Sequence, residues 1–79
     1  MSEFKYEIRE KFATLSDKNG YTKEFNLISY NDREPTYDIR NWSVDEEGER
    51  KMGKGITLNK KELKELLSVL EELELDLDE

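Results

Sequence analysis

The 79 residues contain no cysteine and no histidine, and only one proline and one tryptophan. Without cysteine there is no disulfide framework and no thiolate ligand, and without histidine the commonest metal ligand and general base is missing. Ser16, Ser29, Ser43 and Ser68 therefore have no imidazole to activate them, and no glycine-rich phosphate loop is present. The acidic run Asp45, Glu46, Glu47 and Glu49 lacks the alternating ligand positions of a calcium loop and reads as a solvated turn. No catalytic residue, metal or cofactor is assigned, and the expectation is a protein that is not an enzyme. No stretch is long enough to span a bilayer, and Met1 to Lys5 lacks a basic segment followed by an apolar run, so a soluble cytoplasmic protein with no membrane partner is expected.

Positive charge is also in deficit, at 13 Lys and Arg against 20 Asp and Glu, for a net −7. Taken as a total, this opposes binding to a polyanion. Its distribution alters the argument: residues 1–61 hold 12 of each sign, and residues 62–79 hold Lys64 and eight acids. The excess belongs to the C-terminal segment. Screening over about 8 Å at physiological salt lets a remote acidic tail weaken, without forbidding, association at a neutral or basic face.

What is present reads as one small α+β domain, four antiparallel strands followed by one helix. Phe4, Tyr6 and Ile8 alternate with Lys5, Glu7 and Arg9, which predicts a strand starting near Phe4. The break in parity at Phe12 and Ala13 predicts a bulge. Asn19-Gly20 predicts a tight hairpin turn, because both residues tolerate positive φ. Tyr21 to Tyr30 forms the second strand, with apolar residues on both faces, and Asn31 to Pro35 a polar turn. The sheet is expected over about residues 4–58, ending in a short fourth strand around Lys54 to Leu58. Asn59 with Glu62 gives a capping box opening a helix from about 60 to 73, followed by an acidic tail, 74–79. Leu63, Leu66, Leu67, Leu70 and Leu73, broadened by Val69, make a stripe about 160° wide at ~100° per residue. That exceeds what one sheet covers, so these leucines are expected to form the interface of a homodimer.

The stretch from Tyr37 to Leu58 carries the chemistry. Asp38, Arg40 and Trp42 share one parity of the third strand, and Lys51, Gly53, Lys54 and Gly55 follow the acidic loop. The run Tyr-Asp-Ile-Arg, then Trp42, then Asp-Glu-Glu-Gly-Glu, then Lys51 and Lys54-Gly55-Ile56-Thr57-Leu58, resembles the single-stranded-DNA-binding family of transcriptional positive cofactor four (PC4-like). It is most similar to the bacterial YdbC-type members. The resemblance implies non-catalytic, largely sequence-independent binding of single-stranded DNA, with RNA or melted duplex as further ligands, in transcription, replication or repair. It also implies a location at the nucleoid within the cytoplasm.

Carried onto this chain, the resemblance places Tyr30 and Trp42 against bases. It places Lys23, Arg40, Lys51 and Lys54 against phosphates, with Gly53 allowing close backbone approach. Trp42 sits one place earlier than in the family pattern, and Asn31 rather than Tyr30 falls opposite the family aromatic. The residues themselves leave other readings open. Trp42 also reads as a core anchor, Arg40 as a partner for Asp38, the lysines as solvated surface charges, and Gly53 as a matter of strand geometry. A rival function is an acidic protein-interaction module acting through the C-terminal helix and tail.

Overall fold

The computed structural model describes residues 5–73, so the start expected at Phe4 and the acidic tail lie outside the described residues. Four strands, β1 (Tyr6–Lys18), β2 (Tyr21–Tyr30), β3 (Thr36–Val44) and β4 (Arg50–Leu58), precede one helix, α1 (Lys60–Glu72). The strands pair antiparallel in chain order, the β-β-β-β-α arrangement that the alternation predicts. Asn19 and Gly20 take φ values of 56° and 81° and turn β1 into β2. A second left-handed pair, Asn31 and Asp32, closes the β2–β3 connection, where the Asn31 side chain also accepts from the Lys5 backbone N–H at 3.0 Å. β4 begins at Arg50, earlier than expected, because the acidic turn is short: the Asp45 carboxylate accepts from the backbone N–H groups of Glu47 and Glu49, both at 2.9 Å.

Three register shifts interrupt the β1–β2 pairing, one at the predicted site between Lys11 and Ala13 and two more flanking it. Each extra residue adds twist, and the sheet coils strongly. Tyr6 is opposite Tyr30 and Trp42 is opposite Thr22, at opposite ends of β2, yet the Tyr6 and Trp42 rings lie 5.6 Å apart. The Tyr6 ring thus reaches Trp42 across one face of the sheet.

That face, carrying the even-numbered residues of β2 and β3, is the buried one. Glu24, Asn26, Ile28, Asp38 and Trp42 are all buried on it. Only Ile28 and Trp42 among them are apolar, so this interior depends on hydrogen bonding as well as packing. The odd-numbered face carries Phe25, Leu27, Tyr37 and Ile39, with the Phe12 ring 4.9 Å from Phe25.

The helix opens on the predicted capping box: Asn59 Oδ1 accepts from the Glu62 backbone N–H at 2.8 Å, and the Glu62 carboxylate accepts from the Asn59 backbone N–H at 2.8 Å. It contacts β3 and β4 but does not seal onto them. None of its residues is buried, and an apolar cleft of about 370 Å³ runs between Leu63, Leu66, Leu67 and Leu70 on the helix and Leu15, Phe25 and Ile39 on the sheet. No helix among the described residues is long and apolar enough to cross a membrane.

Candidate nucleic-acid interface

On the buried face, alternate residues of two neighbouring strands meet as a polar network in two parts. At one end Asp38, fully buried, accepts from Tyr30 Oη at 2.5 Å and from Arg40 Nε and Nη2 at 2.9 and 2.8 Å. Arg40 Nη1 donates onward to the Gly53 carbonyl oxygen at 2.9 Å, which ties β3 to β4. The hydrogen bond it donates to Asp38 keeps the Arg40 guanidinium protonated more firmly than usual. Burial, followed by donation to the Asp38 carboxylate and the nearby negative charge, pushes the Tyr30 hydroxyl well above its ordinary pKa.

At the other end Glu24, also buried, accepts from Thr22 Oγ1 at 2.7 Å, Asn26 Nδ2 at 3.4 Å and Arg50 Nη2 at 3.0 Å. Burial alone would raise its pKa, but the hydrogen bonds from Thr22, Arg50 and Asn26 outweigh this and hold the carboxyl below its ordinary value. Arg50 carries its guanidinium over the Trp42 ring, 4.5 Å from the centroid.

Three of the predicted residues have partners within the fold. Trp42 does not offer an outward ring: it is 2% exposed, because Arg50 lies over it and Tyr6 arches against it. Tyr30 is half-buried and spends its hydroxyl on Asp38, so it is anchored in the network. Arg40 is likewise engaged by Asp38 and Gly53, with its side chain 15% exposed. Gly53 contributes its carbonyl to Arg40, and Gly55, two residues on, allows the close approach of β3 and β4, since a Cβ there would overlap Arg40 Cβ and the Ile39 carbonyl oxygen.

The cations meet differently. Lys23, Arg40 and Lys54 line one shallow depression with Ile39, Asn41, Gly55 and Ile56. Lys23 and Lys54 are both exposed there. Lys54 falls in the stretch of β4 where the register shifts between Arg40 and Trp42, so two β4 residues, Gly53 and Lys54, face Asn41. Lys51, also exposed, pairs with Ser43 and so points to the odd-numbered face, with a loose contact of 3.9 Å to Asp45. Trp42 borders a separate depression with Gly20, Thr22, Glu24, Ser43, Val44 and Arg50. The two depressions lie on opposite faces of the sheet, of which β4 is an edge strand: Arg50 and Met52 share the face of Trp42, and Lys51 lies on the other.

Glu24, Asn26, Asp38 and Arg50 organise this region, and the sequence reading does not single them out as site residues. The available signal was parity: Glu24, Asn26, Asp38 and Arg40 alternate in step with Ile28 and Trp42, and polar residues in step with buried ones are a sign of a hydrogen-bonded interior face.

Two comparisons bear on this geometry. An uncharacterized protein of Treponema pallidum (strain Nichols) is 43% identical over 75 residues, covering 94% of this chain and 85% of that protein. The family model described as Transcriptional Coactivator p15 (PC4) matches residues 16–69, from the end of β1 through β2, β3 and β4 to the last turn of α1. With β2, β3, β4, the capped start of the helix and the close Arg40–Gly55 pair all inside that match, the chain belongs to the Transcriptional Coactivator p15 (PC4) family.

Proposed function

We infer that this protein binds single-stranded DNA as a homodimer, without catalysing a reaction and largely without regard to sequence, in transcription, replication or repair. Family membership supports the ligand class. The observation that carries the reading is the placement of the exposed Lys23 and Lys54 at one depression of a chain whose overall charge is −7. A single strand needs cations along its backbone and flat groups for its bases. Lys23, Lys51 and Lys54 are the exposed cations that take phosphates, and Arg40, held by Asp38, adds its field and fixes the shape of the site. The strand follows β4, so that a base can turn over this edge towards Trp42. Tyr30 acts through the framework it shares with Asp38.

The homodimer is supported by the uncovered leucines of α1. Leu67, Leu70 and Leu73 are each about half exposed, and Leu63 and Leu66 border the open cleft. A second copy seated there covers apolar surface that one protomer leaves in water, and two sites on one particle raise avidity without new contacts.

Fluorescence anisotropy with matched single- and double-stranded oligonucleotides at two salt concentrations tests the function. The expected result is preference for the single strand and affinity that falls with salt. Replacing Lys51 and Lys54 together by alanine lowers the log–log salt slope by about 1.4, at about 0.7 for each phosphate that is no longer neutralised. Preference for duplex, or an unchanged slope in the double variant, overturns the reading.

A further inference from the structure

The depression beside Trp42 has the composition of a binding site that one of the protein's own side chains occupies. Its floor is the Trp42 ring, 2% exposed, whose indole Nε1–H is buried and has no acceptor among the described residues. Its wall is the Glu24 carboxylate, with its side chain 4% exposed, held in place by Thr22 and Asn26. The group lying over the floor and against the wall is the Arg50 guanidinium, 4.5 Å from the ring centroid and 3.0 Å from Glu24 Oε1. Arg50 is the loosest of the three, with its side chain 40% exposed and one hydrogen bond to Glu24. The remaining lining comes from Gly20, Thr22, Ser43 and Val44, which are small or short.

A flat, donor-bearing, delocalised group over an aromatic face and against a carboxylate is also a description of guanine. The N1–H and 2-amino groups of guanine hang from one carbon, so its Watson–Crick edge is itself a guanidine unit attached to a stacking ring. Unpaired bases are commonly read by stacking and by hydrogen bonds to that edge. Thymine offers a single N–H between two carbonyl oxygens, which a carboxylate repels. Cytosine and adenine offer an amino group beside a ring-nitrogen acceptor, so only guanine places two donors side by side.

We propose that the Trp42–Glu24 pocket is a guanine subsite for single-stranded nucleic acid, which Arg50 fills until the base displaces it. The guanine ring takes the place of the guanidinium over Trp42, its N1–H and 2-amino groups donate to Glu24, and Arg50 swings outward past the β4 edge towards the phosphates. This rests on the single-strand-binding reading above and adds to it a base preference at one position of the bound strand. The exchange keeps the buried carboxylate supplied with donors, which is the condition for burying it at all.

The test uses a thymidine tract carrying one central guanine, the same tract with inosine in that place, and the all-thymidine tract. Binding is followed by anisotropy and by emission of the chain's one tryptophan. Inosine keeps the ring and N1–H and lacks only the 2-amino group. The expected result is that the guanine tract binds about fivefold to tenfold more tightly than the thymidine tract, the lower part of the range for a bidentate base contact because the Arg50 contact is surrendered. Inosine removes most of that gain, and tryptophan emission is quenched most by guanine. Glu24→Gln narrows the gap between the guanine and thymidine tracts, read as the ratio of the two affinities on that same variant; if that variant does not fold, the guanine–inosine comparison on the unaltered protein decides alone. Equal affinity for all three tracts overturns the guanine subsite and leaves single-strand binding standing. Failure of all three to bind overturns both.

Discussion

Asp38 and Arg40, two residues apart on β3, form an ion pair of 2.8 Å whose carboxylate is fully buried and whose guanidinium is 15% exposed. Such a pair is costly to break from one side, because the remaining charge is left desolvated. Arg40→Ala is therefore expected to destabilise the protein by about 3–5 kcal/mol, read as a fall in the urea midpoint at constant m-value. A change below ~1 kcal/mol would show that solvent reaches Asp38 and that Arg40 acts mainly at the surface.

The Tyr30 hydroxyl gives the same network a pH signature. Its folded-state pKa is raised above the ordinary value of 10.0 by burial and by the hydrogen bond to Asp38, so the fold favours the neutral phenol. The resulting stability is fully present below pH 10.0 and declines as pH rises beyond it, because the unfolded chain then ionises while the folded one resists. Urea melts between pH 8 and 11 should show a steeper alkaline loss in the unaltered protein than in Tyr30→Phe, with the two curves converging at high pH. Parallel curves would detach Tyr30 from Asp38.

Trp42 separates packing from recognition. The ring is 2% exposed and touches Tyr6 and Arg50, so Trp42→Ala removes a core side chain and is expected to cost about 3–5 kcal/mol. An outward ring, as the sequence reading has it, would let the same substitution leave stability nearly unchanged. Thermal melts distinguish the two. Trp42→Phe, which keeps an aromatic floor, restores most of the stability while weakening the contact available to a base.

The contrast shows what sequence could and could not reveal. Strand order, the Asn19-Gly20 turn and the Asn59–Glu62 capping box follow from local chemistry, where a few adjacent residues determine the backbone. The role of Trp42 does not. Parity assigns it a face, but whether that face is open depends on the bulges in β1, which bring Tyr6 across the sheet from the far end of β2. Arg40 is a similar case: its spacing from Asp38 allows a pair or two independent contacts, and the Gly53 carbonyl, thirteen residues away, completes the choice. The cations were legible as a group because charge clusters along the chain. Their division by the β4 edge was not, since it depends on one register shift between Arg40 and Trp42.

The last prediction concerns the face that the fold leaves uncovered. Leu67 and Leu70 are 54% and 47% exposed, on a helix none of whose residues is buried, beside an apolar cleft lined by Phe25 and Ile39. Surface of this kind on a chain of 79 residues, too short to bury a large core alone, favours covering by a second copy. Leu67→Glu with Leu70→Glu should leave the Asn59 cap and the buried polar network untouched, since neither leucine contributes to them, while placing acids on the apolar face. Sedimentation velocity at micromolar concentration is expected to show a dimer for the unaltered protein and a monomer for the double variant, with DNA affinity lowered by the loss of avidity. A monomer in both cases would mean that the leucines are not an interface between copies. A dimer in both would place the contact on another surface, with the free edges of β1 and β4 as the next surfaces to alter.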